Sequence, residues 1–252
     1  MTKTEKPLIE VRDLSVVYGD YPVLKDVSFD VVGGEVFVIL GGSGCGKSTL
    51  LKHMIGLFEP VSGRVRIDGD DIVCCDASTR AKILRKIGVM YQSGALFGSM
   101  TLLENVSLPL EEFTQLDARS IELIARMKLK LVGLEKSADH MPAEISGGMQ
   151  KRAAIARAMA LDPSILFLDE PSAGLDPVTS AELDALIRNL ARNLGITFVV
   201  VTHELPSIFA IADRVIMLDK ETKGIVATGD PRELKENHEA SAVRRFFNRE
   251  AA

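Results

Sequence analysis

The sequence contains no apolar run long enough to cross a bilayer. Its longest, such as Ile196-Thr197-Phe198-Val199-Val200-Val201, are strand-length, against about 20 residues for a spanning helix. The opening residues, Met1-Thr2-Lys3-Thr4-Glu5-Lys6-Pro7, lack the apolar core of a signal peptide, so the cytosol is the expected compartment. Cysteine is scarce: Cys45, Cys74 and Cys75 argue against a disulfide framework and for a reducing compartment. Adjacent Cys74-Cys75 has no second pair with which to hold a metal. Basic charge is not in excess either. With 35 acidic residues against 30 basic ones the formal net charge is −5, and bulk charge gives no reason to expect nucleic-acid binding. Internal repeats and low-complexity tracts are also missing. What is present is a chain of 252 residues, 46% hydrophobic and 26% charged, which suits one α/β domain carrying an inserted lobe.

The most informative stretch is Gly41-Gly42-Ser43-Gly44-Cys45-Gly46-Lys47-Ser48. An apolar, β-branched run, Val36 to Leu40, precedes it, and Thr49-Leu50-Leu51-Lys52-His53-Met54-Ile55 reads as a helix after it. Strand, glycine turn and helix in that order favour a phosphate-binding loop over a glycine-rich turn that merely caps a helix. Its glycines let backbone N–H groups converge on an anion, and the helix start adds a positive end. Lys47 would reach the outer phosphates, and the Ser48 hydroxyl would ligate Mg²⁺.

The rest of the chain falls into order around that unit. Leu8 to Tyr18 alternates as a strand, Gly19-Asp20-Tyr21-Pro22 is turn chemistry, and Val27 to Val32 returns toward Gly33-Gly34. Tyr18 could stack on adenine or simply pack on a sheet edge. Short strands follow at Gly63–Gly69 and Ile87–Tyr91, the latter ending at Gln92. From Ser93 to about Asp162 the pattern turns helical, with Ile124, Met127 and Leu131 at i, i+3, i+7 and a kinked or broken helix expected around Pro109. Strands flank this segment, so it reads as a helical lobe inserted into an α/β core. Within it, Ser146 N-caps an alanine-rich helix whose first turn, Gly147-Gly148, leaves backbone N–H groups open to an anion. Two glycines there cost helix stability and suggest close approach by another group.

Ile165-Leu166-Phe167-Leu168-Asp169-Glu170 reads as a doubly buried strand ending in two carboxylates at the edge where such sheets bind ligands. One acid beside Mg²⁺ and another aimed at a water is the division ATP hydrolysis needs. A helix from Val178 to Leu194 presents Leu183, Leu186, Leu190 and Leu194 on one face, and the next strand ends at Thr202-His203-Glu204. His203 could meet the terminal phosphate or be an ordinary structural histidine. The tail from Asp230 is helical, with Val243, Phe246 and Phe247 on one face beside Arg244, Arg245 and Arg249. It could dock on its own domain, on a second subunit or on a membrane surface.

Taken together, these motifs resemble the nucleotide-binding subunit of an ATP-binding-cassette (ABC) transporter over nearly the whole chain. Tyr18 matches the aromatic loop, Gly41–Ser48 the Walker A loop, Gln92 the Q-loop, Ser146-Gly147-Gly148 the signature, Ile165–Glu170 Walker B, Ser172–Asp176 the D-loop and His203 the switch. The signature departs from Leu-Ser-Gly-Gly-Gln at Ile145 and Met149. The resemblance implies a RecA-like P-loop NTPase core with an N-terminal antiparallel β subdomain and an inserted α-helical subdomain at about 93–162. The cassette would span 1–229 and a helical tail 230–252. It further implies ATP and Mg²⁺ as cofactors, with Gly41, Gly42, Ser43, Gly44, Cys45, Gly46, Lys47, Ser48 and Thr49 around the phosphates. Ser48, Gln92 and Asp169 would support the metal, Glu170 would be general base or water positioner, and His203 would sense the γ-phosphate beside Lys47. Two copies would close head to tail, each lending Ser146, Gly147 and Gly148 to the other's nucleotide, with Asp176 linking the sites.

Gln92 to Phe97, followed by Met100 to Val106, and the Ser-Gly-Gly-Met signature are similar to the Mla/Mce branch, which transports phospholipid. That implies a peripheral position on the cytoplasmic face of the inner membrane and an integral permease partner. An MCE-type substrate-binding subunit and a small regulatory subunit would be further partners. Leu96, Phe97 and Met100 then either meet the permease or pack within the helical lobe. An amino-acid or ion transporter is the runner-up. A soluble cassette acting on nucleic acid or ribosomes fits less well, because no second cassette or long coiled-coil insertion is present. A non-catalytic regulator fits less well still, because Lys47, Asp169, Glu170 and His203 are all in place.

Overall fold

The computed structural model describes residues 6–237 and 241–248; the first five residues and Arg249 of the tail lie outside them. The N-terminal strands β1 (Ile9–Tyr18) and β2 (Tyr21–Val31) pair antiparallel, and β4 (Ser62–Ile67) and β5 (Asp70–Asp71) extend them into a four-stranded sheet. A second sheet has six strands. It is built from β3 (Val36–Gly41), β6 (Ile87–Met90), β7 (Ile165–Asp169), β8 (Thr197–Val201), β9 (Arg214–Leu218) and β10 (Ile225–Gly229) in the order β10-β9-β3-β8-β7-β6. All of its neighbours run parallel except β10, which turns back antiparallel on β9.

The apolar runs form central strands because both faces of this sheet are covered. Along β3, Val36, Val38 and Leu40 face the helical side, while Phe37 and Ile39 face the antiparallel sheet. The same alternation places Leu166, Leu168, Phe198 and Val200 on the first side and Ile165, Phe167, Val199 and Val201 on the second. Phe29 of β2 stacks on Phe37 with ring centres 5.3 Å apart, joining the two sheets.

Helix α1 (Lys47–Met54) follows β3, and α2 (Ala77–Arg85) precedes β6. Between β6 and β7 lie α3 (Leu102–Phe113), α4 (Ala118–Leu131) and α5 (Gly147–Ala158), the inserted helices expected from the sequence. Helix α3 runs through Pro109 as one unbroken helix. It starts at a capping box in which the Thr101 hydroxyl accepts from the Glu104 N–H and Glu104 accepts from the Thr101 N–H. The apolar stripe read on α4 is turned from its true inner face. Ile121, Ala125, Lys128 and Leu129 are buried, whereas Met127 is 53% and Leu131 42% exposed. Lys128 fills an inner position because its ammonium reaches the Asp162 carboxylate while its stem packs inside.

Helix α6 (Pro177–Leu194) buries Leu183, Ile187, Leu190 and Ala191; Leu194, expected on that face, is half exposed at the last turn. After β8 come α7 (Leu205–Ile211) and, beyond β10, α8 (Pro231–Asn237) and α9 (Ser241–Asn248). Val243 and Phe247 of α9 are buried in the chain's own core, with Phe247 5.8 Å from the Phe209 ring.

Candidate functional site

Strands β3, β8 and β7 are neighbours, so their C-terminal ends bring Gly41, His203 and Glu170 to one edge of the sheet, where parallel sheets bind ligands. A cavity of about 540 Å³ opens there. Gly41, Gly42, Ser43, Gly44, Gly46, Lys47, Ser48 and Thr49 line it, together with Val23, Gln92, Glu170, His203 and Phe246. The loop's shape depends on glycine at two points. Gly46, at φ 101°, N-caps α1 where a Cβ would sit 2.8 Å from Leu24, and Gly41, at φ 148°, would press one against the Leu218 carbonyl oxygen at 2.4 Å. Cys45 lies on the loop but not on the cavity wall; its side chain is buried beneath, and burial pushes its thiol up in pKa.

Lys47 is buried and donates to the carbonyl oxygens of Gly41 at 2.9 Å and Gly42 at 3.1 Å, so its ammonium is held at the loop's mouth. The Ser48 hydroxyl donates to Asp169 Oδ1 at 3.1 Å. Asp169 lies behind the wall, in an adjoining cavity that it shares with Gln92 and Lys52. Burial raises its carboxyl above the usual range and the Glu170 charge adds to that, while Ser48, Lys52 and Lys47 pull it back. Glu170 holds a left-handed backbone, φ 47°, costly for a residue with a Cβ. That turn sends its side chain across the strand ends. Oε1 meets His203 Nδ1 at 2.8 Å, and Oε2 is buried with no partner among the described residues. His203 is itself 59% exposed. A buried, unpaired carboxylate oxygen costs free energy unless something fills the place beside it, so the site is built for an additional donor.

The other expected residues lie elsewhere. Tyr18 ends β1 at 50% exposure and does not line the cavity. Ser146 N-caps α5 as expected, accepting from the Met149 N–H at 3.3 Å, but with Gly147 and Gly148 it is outside the cavity. The close approach expected at these glycines is internal at Gly148, where a Cβ would come within 2.3 Å of the Thr179 side chain; at Gly147 the nearest atom, on Leu175, is 3.7 Å away. Asp176 is the exposed N-cap of α6, accepting from Val178 N–H, Thr179 N–H and the Thr179 hydroxyl; these bonds hold its carboxyl below the usual range.

Two contributors had no local signal. Phe246 of α9, read as part of a docking face, borders the phosphate loop. Asn105 is wholly buried in α3. Its amide donates to the carbonyls of Phe97, Met100 and Thr101 and its oxygen accepts from the Phe97 N–H, fixing the turn after Gln92. In that turn Leu96 packs on the core, while Phe97 stays exposed.

A glycine loop on a helix start, a lysine at its mouth, a hydroxyl on one strand-end carboxylate and a histidine on the next define a P-loop ATPase of the cassette type. The ABC transporter family matches residues 24–173, and the chain belongs to that family. A probable ribonucleotide transport ATP-binding protein of Mycobacterium leprae is 43% identical over 240 residues, 95% of this chain and 68% of its own length. The intermembrane phospholipid transport system ATP-binding protein MlaF of Escherichia coli is 39% identical over 249 residues, 98% of this chain and 91% of its own. Among solved structures, the ATP-binding cassette MJ0796 in a dimeric post-hydrolysis state bound to ADP and Pi superposes with a TM-score of 0.79. It is 33% identical and is matched over 88% of this chain and 98% of that one.

Proposed function

We propose that the chain is the ATP-hydrolysing motor of a membrane transporter that moves phospholipid, working as two copies closed head to tail around nucleotide. The observation that carries this reading is the split between its motifs. Lys47, Ser48, Glu170 and His203 line one cavity, while Ser146 caps a helix start that is not part of its lining. A nucleotide in that cavity is covered on its open side by Ser146 and Gly147 of a second copy. The α5 N-terminus, whose Gly147 and Gly148 N–H groups have no partner among the described residues, then meets the γ-phosphate.

The residues divide the work. Lys47 exchanges the Gly41 and Gly42 carbonyls for phosphate oxygens, a charge-assisted contact stronger than the neutral one it replaces. Ser48, Gln92 and Asp169 form a set of hard oxygen donors that suits Mg²⁺, and the Ser48–Asp169 bond marks their convergence. The ion, when bound, neutralises charge on the phosphate oxygens. Glu170 uses its unpaired Oε2 to orient and deprotonate the attacking water, and His203 holds Oε1 and reports the γ-phosphate. Asp176 lies beside the second copy's loop and links the two sites.

The phospholipid cargo is supported by the similarity to MlaF across nearly both chains. Among the described residues no helix is long and apolar enough to cross a membrane. In this reading, which the similarity to MlaF supports, the chain works peripherally on the cytoplasmic face of the inner membrane, with an integral permease seated near exposed Phe97. An MCE-type substrate-binding subunit and a small regulatory subunit complete the assembly. Affinity purification of the full chain from solubilised membranes tests this. Recovery of an integral subunit with bound phospholipid supports it; recovery of RNA or ribosomal proteins instead overturns it.

A further inference from the structure

The helix that opens on Ser146 also grips the turn that carries Gln92. Lys151, in the second turn of α5, is only 9% exposed, and its ammonium donates to the Gln92 main-chain carbonyl. Among the described residues no other donor reaches that oxygen. Six residues further along the same helix, Arg157 donates to the carbonyls of Ala95 at 2.6 Å and Gly94 at 3.2 Å, and its guanidinium lies 5.9 Å from the centre of the Phe97 ring. Ala95 has φ 51°, a backbone shape an alanine does not favour, so the turn needs such external holds.

The two grips differ in what lies beyond them. Past Arg157 is the exposed Phe97. Past Lys151 are the carboxylates of Asp169 and Glu170; burial lowers the lysine's proton affinity, and those two charges raise it again. A methylene stem that crosses the lobe to place one charge on one carbonyl, beside the hydrolytic carboxylates, does more than fill space.

We propose that Lys151 is a positioning residue for ATP hydrolysis: by fixing the main chain at Gln92 it holds that side chain in the cavity wall it shares with Ser48, and it ties that placement to the helix bearing Ser146. This rests on the reading of Gln92 as a metal-supporting group. Each site is thus set by the helix that serves the other.

The test compares Lys151→Met, Lys151→Arg, Arg157→Gln and Gln92→Ala in the full chain, measuring kcat, KM for ATP and the Mg²⁺ concentration at half-maximal turnover. Lys151→Met lowers kcat about tenfold and raises the Mg²⁺ requirement several-fold, the size typical of a group that supports metal ligands. KM for ATP stays within about twofold, and Lys151→Arg recovers most of both losses. Arg157→Gln, which loosens the same turn further from Gln92, lowers the melting temperature without moving the Mg²⁺ requirement. Wild-type Mg²⁺ dependence in Lys151→Met, or an equal shift in Arg157→Gln, overturns the proposal. If Gln92→Ala leaves Mg²⁺ dependence unchanged, the reading of Gln92 itself fails. If Gln92→Ala shifts it and Lys151→Met does not, only Lys151 loses its role. Should Lys151→Met show no thermal transition, Lys151→Gln carries the same measurements.

Discussion

At the edge of the six-stranded sheet, residues at the ends of β3, β7 and β8 and the start of α1 enclose a cavity in which Lys47, Ser48 and His203 are held by neighbours, while one buried carboxylate oxygen of Glu170 has no partner among the described residues. At the start of α5, Ser146 and Gly147 enclose nothing; the cap is satisfied by its own helix and the surface is open. The first region carries the cost of catalysis within one chain, in a strained Glu170 backbone and a desolvated Asp169. The second stores no such strain, and in the proposed pairing it acts on the nucleotide of another copy. With its two half-sites on different surfaces, as proposed above, the motor opens and closes as the bridging phosphate comes and goes.

The largest effect that would sharpen this contrast is in Glu170→Gln. Turnover falls by about a thousandfold or more while ATP stays bound and two copies remain closed; near-normal turnover in a single-turnover assay removes Glu170 from its role. Ser146→Arg comes next. Steady-state hydrolysis drops by about a hundredfold because the second copy can no longer approach, yet fluorescent ATP still binds the monomer, and a parallel loss of monomer binding would merge the two regions into one. Lys47→Ala weakens ATP binding by about tenfold or more, read by the same titration; unchanged affinity breaks the phosphate-loop assignment.

The smallest effect concerns pH. Because burial holds the Asp169 pKa above the ordinary aspartate value, its contribution to stability is present at low pH and lost as pH rises through the raised value. Without Mg²⁺, Asp169→Asn is therefore more heat-stable than wild type at neutral pH, and the gap closes on acidification toward the ordinary aspartate range. A gap independent of pH contradicts this. Asp176, on the open side, has the opposite shift.

How much of this was legible depends on how local each signal is. The central strands and the phosphate loop are written in contiguous residues: doubly buried strands need unbroken apolar runs, and the loop needs glycine at fixed spacing. The helix start at Ser146 was readable for the same reason, whereas the cap that Asp176 supplies to α6 was not read. The inner face of α4 was not, since Ala125 and a lysine whose charge is answered by Asp162 supply it while larger apolar residues stay outside. Nor was the reason for Gly148, which is a threonine 31 positions away on α6, nor the place of Phe246, which only the packing of α9 decides.

Phe246 has a practical consequence for anyone handling this protein. A fluorophore or purification handle attached just after Asn248 sits a few residues from the flank of the phosphate cavity that Phe246 forms. Its linker and charge become part of what ATP encounters, so rates measured with such an appendage describe an altered enzyme until the untagged chain has been assayed beside it.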